Sequence, residues 1–177
     1  MALYPGVQKF CQEEILDNLG SRPPTIDDVS SLPYVMATLM EIQRLAKVAP
    51  GSLTHILEED TQFGNYHFKK GTSFVANLTK FLMDPSVFES PDKFNPSRFL
   101  DENNKIKRYE QFVPFGIGKR ICMGETLAKN EMFIFFVRLI QRLSFEETQD
   151  KLSIHNVTTG ITRIPNAFKV KVKSLVF

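Results

Sequence analysis

The sequence has no tryptophan and only two cysteines, Cys11 and Cys122. Two cysteines cannot make a disulfide framework, and no CxxC pair or Cys/His cluster at zinc spacing occurs. Any chemistry at a cysteine must therefore be done by one sulfur alone. Long apolar runs are missing as well. The longest, MFIFFV at 132–137, is far below the roughly 18 residues of a membrane-crossing helix. The opening residues MALYPGVQKF lack the apolar centre of a signal peptide. No transmembrane segment, anchor or export signal is expected in this chain. The formal net charge is only +2, which gives no reason to expect a polyanionic partner, and nothing points to nucleic acid. There is no internal repeat and no low-complexity segment.

What is present is ordinary for a globular chain, apart from 16 phenylalanines. At 177 residues, one domain over 1–177 is the default, with enough chain for a real core. Pro5 to Leu19 reads as a helix, with Val7, Phe10, Cys11, Ile15 and Leu19 near one face and Gly20 as its stop. SRPPT is a linker, and a short helical turn follows Asp27 and Asp28. Pro33 suits the first turn of a second helix, PYVMATLMEIQRLAKV, with Val35, Leu39, Ile42 and Ala46 at helical spacing. Pro50-Gly51 ends it.

The period then changes. FGNYHFKKGTSFVA predicts two strands in a hairpin around Lys69-Lys70-Gly71, followed by a brief helix, LTKFLMD. Asp84 to Phe115, with Pro85, Pro91, Pro96 and Pro114, shows little period. So long a loop in a compact domain is usually functional. A helix from about Cys122 to Leu143 is apolar all round in its middle, which predicts burial on every side. Weak strand signals lie at Phe145–Thr148 and Phe168–Val172. Phe81, Phe88, Phe94, Phe99, Phe112, Phe133, Phe135 and Phe136 are the expected core.

Cys122 stands between a glycine-rich loop and this helix, in FGIGKRICMG (115–124). A free cysteine is most often a small buried hydrophobe. Here a helix N-terminus and two adjacent cations, Lys119 and Arg120, favour an anion at the sulfur. Gly116, Gly118 and Gly124 leave room for something large and flat near the backbone. A thiolate can attack or ligate. A nucleophile wants a neighbouring base, and none of His55, His67 and His155 lies in a recognisable hydrolase context. A lone thiolate ligand with space for a planar group suggests haem iron.

These residues carry a family resemblance. Phe115-x-x-Gly118-x-Arg120-x-Cys122-x-Gly124 resembles the haem-binding signature of the cytochromes P450, and ETLAKNE (125–131) continues it. Upstream, Glu41-x-x-Arg44 resembles the E-x-x-R pair of the family's K helix, and Pro96-x-Arg98-Phe99 its P-x-R-F element. DTQFGNYHFKKGT and DPSVFESPDKFNPSRFLD are similar to animal microsomal members. The resemblance covers nearly the whole chain. It implies a mainly α fold with a small β component: K helix, β hairpin, irregular meander, cysteine loop and L helix.

The resemblance also implies roles. Cys122 would be the axial thiolate on haem iron, with Phe115 packed beside the sulfur and the glycine loop donating N–H groups to it. Gly118 and Gly124 would let backbone approach the porphyrin. Arg120 would pair with a propionate, although alone it reads equally as a solvated arginine. His55 would reach a propionate too, with a surface loop histidine as the alternative. Glu41, Arg44 and Arg98 would form a buried structural network, where spacing alone suggests a solvated ion pair. Lys119 and Lys129 would help dock an NADPH-dependent reductase; solubility explains either lysine as well. Val48 to Leu53 would line the pocket of a small apolar substrate. The implied activity is monooxygenation, and the implied location of a full-length member is the cytosolic face of the endoplasmic reticulum membrane.

Only the C-terminal part of the family's domain is matched. The Ala-Gly-x-Asp/Glu-Thr-Thr stretch of the family's I helix does not occur in the sequence, so no oxygen-activating catalytic residue is expected here. The alternative expectation is a truncated, inactive fragment that binds haem weakly or not at all, poorly soluble through an uncovered L-helix face.

Overall fold

A computed structural model describes residues 1–175. Prolines open the first two helices, where their fixed φ fits the first turn. α1 spans Pro5–Leu19 and buries Gln8, Cys11, Ile15 and Leu19 at helical spacing. Gly20 ends it at φ +59, with its N–H bonded to Leu16 O at 2.9 Å. Phe10, expected on the buried face, is 58% exposed and stands edge-on to Tyr34. A 3₁₀ turn, Ile26–Ser31, follows, opened by a Thr25–Asp28 capping box.

α2 spans Pro33–Ala46 and closes at Lys47, which adopts φ +47, so Val48 lies beyond it. The first free N–H groups of α2 are satisfied from another helix. Glu14 of α1 accepts from Tyr34 N at 2.9 Å and from Val35 N at 2.8 Å. One carboxylate thereby caps α2 and fixes it against α1.

The strands depart from expectation. β1 (His55–Ile56) pairs with β4 (Ser73–Phe74), and nested inside them β2 (Thr61–Phe63) pairs with β3 (Tyr66–Phe68), all antiparallel. The hairpin therefore turns at Gly64-Asn65, with Gly64 at φ +58, and not at Lys69-Lys70-Gly71. A two-residue Gly-Asn turn is a strong hairpin signal. The Lys69–Gly71 segment bonds elsewhere: Asp60 accepts from Lys69 Nζ and Lys70 N, and Gly71 N donates to Leu57 O.

A five-residue helix, α3 (Leu78–Leu82), buries Leu78 and Leu82 and leaves Phe81 46% exposed. The 84–115 stretch contains a 3₁₀ turn at Pro96–Phe99 and a single bridge between Leu100 and Ile106. α4 runs Glu125–Arg142, three residues later than Cys122. Burial all round does not occur. Its buried residues are Phe133, Val137, Ile140 and Gln141, while Phe135 is 65% and Leu139 47% exposed. A single stripe meets the other helices and the opposite side faces outward. β5 (Leu143–Glu147) pairs with β8 (Val170–Ser174), displaced slightly from the weak signals. β6 (Val157–Thr159) and β7 (Arg163–Pro165) form a further hairpin that the sequence did not announce.

α2 is packed on two sides. One face joins α1 and α4 in a cluster of Cys11, Ile15, Leu19, Leu32, Val35, Leu39, Phe133, Val137 and Ile140. The other, through Ala37 and Met40, meets Phe88, Phe99, Tyr109 and Phe112 of the long loop. Full burial of one such aromatic stabilises by about 1.5–3 kcal/mol. Phenylalanine is thus central to the second cluster, whereas aliphatics dominate the first. Phe94 is only half-buried, its ring 4.5 Å from Tyr4, and Phe136 is half-buried beside the first cluster. Buried glutamines tie the helices to the backbone. Gln8 bonds both ways with Phe145, and Gln141 donates to Gly20 O and Arg22 O.

Candidate functional site

A loop without regular structure must still satisfy its backbone carbonyls. In the 84–100 stretch two guanidinium groups do this. Arg44 grips Glu41 with two bonds, Nε to Oε2 at 2.7 Å and Nη2 to Oε1 at 2.9 Å. Its remaining N–H groups reach Leu82 O at 3.0 Å and Pro91 O at 2.7 Å. Arg98 Nε donates to Glu41 Oε1 at 3.1 Å, and its Nη groups donate to Glu89 O and Lys93 O. Asn95 N donates to Glu41 Oε1 as well, at 2.9 Å. The side chains of Glu41 and Arg44 are 0% exposed and that of Arg98 6%. Arg44 also stands over the Phe88 ring, 5.2 Å from its centroid. Both Glu41 oxygens are occupied, so the charges are buried with their partners in place. The network locks the loop to α2.

The spacing of Glu41 and Arg44 alone suggests a solvated pair; the structure puts it in the interior. The carbonyl partners escape sequence reasoning because backbone acceptors carry no sequence signature. The one available signal is the proline-rich run itself, whose carbonyls need donors from somewhere.

The cysteine loop is built differently. Gly116 and Gly118 stand at φ +79 and +72, a region that costs L side chains about 1–2 kcal/mol. A Cβ at either would meet nothing within 4 Å, so glycine is needed there for conformation. Gly124 has φ −90, and a Cβ there would sit 3.9 Å from Cys122 Sγ, an ordinary contact. Gly118–Arg120 forms a 3₁₀ turn, and Ile121 N bonds Gly118 O. Cys122 N donates to Phe115 O at 3.0 Å, closing the loop, and Glu125 N donates to Cys122 O at the start of α4. Lys129, one turn into α4, pairs with Glu125 and lies 5.7 Å from the Phe115 ring centroid.

The Cys122 thiol is exposed and free. Around it in sequence Ile117 is 68%, Ile121 47% and Met123 101% exposed. Lys119 and Arg120 are exposed too, and no ion pair among the described residues engages either. His55 lies in β1, half-buried and stacked on Phe74 at 5.3 Å, with no hydrogen bond to Arg120. Cys11 is the opposite of Cys122: fully buried, beside Thr38 Oγ1 at 3.4 Å, its thiol pushed up to about 12 mainly by burial.

Among the described residues no group of three His, Cys, Asp or Glu could hold a bare metal ion. A single outward thiol amid apolar side chains, with cations at the margin, suits a large apolar group bonded through sulfur and carrying peripheral acids. The residues present therefore fit haem.

The cytochrome P450 family model matches residues 1–172. The chain is 39% identical to cytochrome P450 2M1 of Oncorhynchus mykiss over 175 residues, 98% of this chain and 35% of that protein. It is 44% identical to cytochrome P450 2U1 of Rattus norvegicus, over 97% of this chain and 33% of that protein. Identity to human cytochrome P450 2S1 is 40%, over 96% and 34% respectively. The chain spans about a third of the length of these relatives. With the matched segment running from α1 into β8, the chain belongs to the cytochrome P450 family.

Proposed function

We propose that this chain forms the proximal side of a haem-thiolate monooxygenase site, with Cys122 Sγ as the axial ligand. The observation that carries the reading is the outward thiol of Cys122 in a closed, glycine-shaped loop of the family's spacing. Haem held there would supply the redox chemistry of a monooxygenase, which inserts one oxygen atom from O2 into an apolar organic substrate with NADPH electrons delivered through a reductase. The residues of the chain bind and orient. Phe115, whose carbonyl closes the loop, would pack beside the sulfur once haem covers it, and Gly118 and Gly124 would keep side chains off the approaching ring. Arg120 and His55 would hold the propionates by charge-assisted bonds. Lys119, exposed and without an ion-pair partner among the described residues, and Lys129 offer an acidic reductase a cationic landing. Val48 to Leu53, with Val48 and Leu53 largely exposed, is the segment offered to substrate. Glu41, Arg44 and Arg98 hold the loop and touch no reactant. Residues 1–177 act as one part of the family's domain, on the cytosolic face of the endoplasmic reticulum membrane. No helix of the described residues is long and apolar enough to cross a membrane.

The second reading, a chain that by itself holds haem weakly and does no catalysis, is favoured by the exposure of Cys122 and its neighbours. The reduced, CO-bound difference spectrum of the chain mixed with haem, beside Cys122→Ser, decides between them. A red-shifted Soret band that the serine variant loses supports the thiolate site. Its absence in the parent chain supports the weaker reading.

A further inference from the structure

Lys129 makes contacts that docking does not require. Its ammonium pairs with Glu125, one turn back on α4, which restrains an otherwise flexible side chain. It also lies 5.7 Å from the centroid of the Phe115 ring, inside the range at which a cation is attracted to an aromatic face. Phe115 is the residue whose carbonyl accepts the Cys122 N–H at 3.0 Å. The loop between them contains Gly116 and Gly118, both at positive φ, and a Cβ at either would touch nothing. Packing by neighbours therefore does little to hold the loop in place there. The chain runs into the loop from buried Val113, whose carbonyl accepts from Gly116 N, and out of it into α4; the Glu125–Lys129–Phe115 contact is a side-chain link between the two ends.

We propose that Lys129 is a positioning residue for Cys122. It clamps the Phe115 ring to the first turns of α4 and so holds the Phe115 carbonyl where it closes the cysteine loop. This rests on the haem-thiolate reading for its purpose, since a fixed sulfur is what an axial ligand needs. The clamp itself can be tested without haem. It also changes the view of Lys129 as a docking cation, because a charge already shared with Glu125 and a ring is less available to a partner than that of Lys119.

The test is amide hydrogen exchange at Cys122 in the full chain without haem. Lys129→Gln should speed exchange of the Cys122 amide about two- to fivefold, the size expected for a partly exposed cation–π contact. Amides in the last three turns of α4 should not change. Lys129→Arg, which keeps charge and stacks on the ring, should restore the parent rate. In a Phe115→Leu background, Lys129→Gln should have no further effect. An unchanged Cys122 amide in Lys129→Gln, failure of Arg to rescue, or the same acceleration in the Phe115→Leu background would overturn the clamp. The CO spectrum of Cys122→Ser addresses the haem reading separately, so failure of one leaves the other standing.

Discussion

Arg44 and Arg120 are the same residue type in opposite circumstances. Arg44 is wholly buried, and its donors go to one carboxylate and to backbone carbonyls of Leu82 in α3 and Pro91 in the long loop. Arg120 is exposed, in a loop closed by one backbone bond and bordered by exposed apolar side chains. The first region is complete within the chain; the second offers its groups outward. The difference separates groups spent on stability from groups left open to a ligand. The network holds the fold, and the cysteine loop keeps a sulfur, cations and apolar surface available.

The sharpest way to break the comparison is Glu41→Ala. It strands two buried guanidinium groups and should cost about 3–5 kcal/mol, read as a large drop in the urea midpoint, with haem incorporation lost as a consequence. A stable Glu41→Ala chain of normal colour would mean that the network is not what locks the loop. Arg120→Ala should do the reverse. Its urea midpoint should stay at the parent value, while haem affinity falls about 10- to 100-fold, the worth of one charge-assisted contact. Equal effects on stability and binding would erase the contrast.

Within the loop, Gly118→Ala forces a side chain into φ +72 and should cost about 1–2 kcal/mol. Gly124→Ala, with an ordinary contact to Cys122 Sγ, should change the stability of the haem-free chain by no more than about 0.5 kcal/mol. Thermal melts of the two variants check this. A severe loss in Gly124→Ala without haem would show that the loop is tighter than the geometry indicates.

The smallest effect concerns another ion pair, between buried Asp28 and half-exposed Arg22. Asp28 is held well below the usual carboxylate range, first by the Arg22 guanidinium and then by the Thr25 N–H. A depressed folded value means its contribution is complete above the ordinary aspartate pKa of about 4. That contribution is lost as pH falls through the folded value. Arg22 is half-exposed, so solvent screens the pair. Stability of the parent should decline shallowly on acidification, and Asp28→Asn should flatten that part of the curve. An identical acid profile in both chains would remove Asp28 from the account.

Much of this was legible in sequence where local rules decide. Pro5 and Pro33 start helices, Gly20 stops one, and the Phe115–Gly124 spacing picks out the cysteine loop. The errors came where a partner decides. The hairpin turn moved to Gly64-Asn65 because Asp60 captures Lys69 and Lys70 and β4 pairs with β1. Helix α4 was expected to be buried all round from its apolar middle, yet Phe135 faces out because α1 and α2 cover only one stripe.

By itself the sequence determined the helix starts set by Pro5 and Pro33, the stop at Gly20, the placing of glycines around Cys122, and the spacing of Glu41, Arg44, Arg98 and Cys122. Those are properties of neighbouring residues, and backbone sterics act within a few positions. Tertiary structure alone decided that Glu41 and Arg44 are interior and not a solvated pair, and that Cys11 is sealed while Cys122 stands open. Burial and pairing depend on what packs against a residue, and the groups that enclose the Glu41–Arg44 pair come from 38 to 57 positions away in the chain.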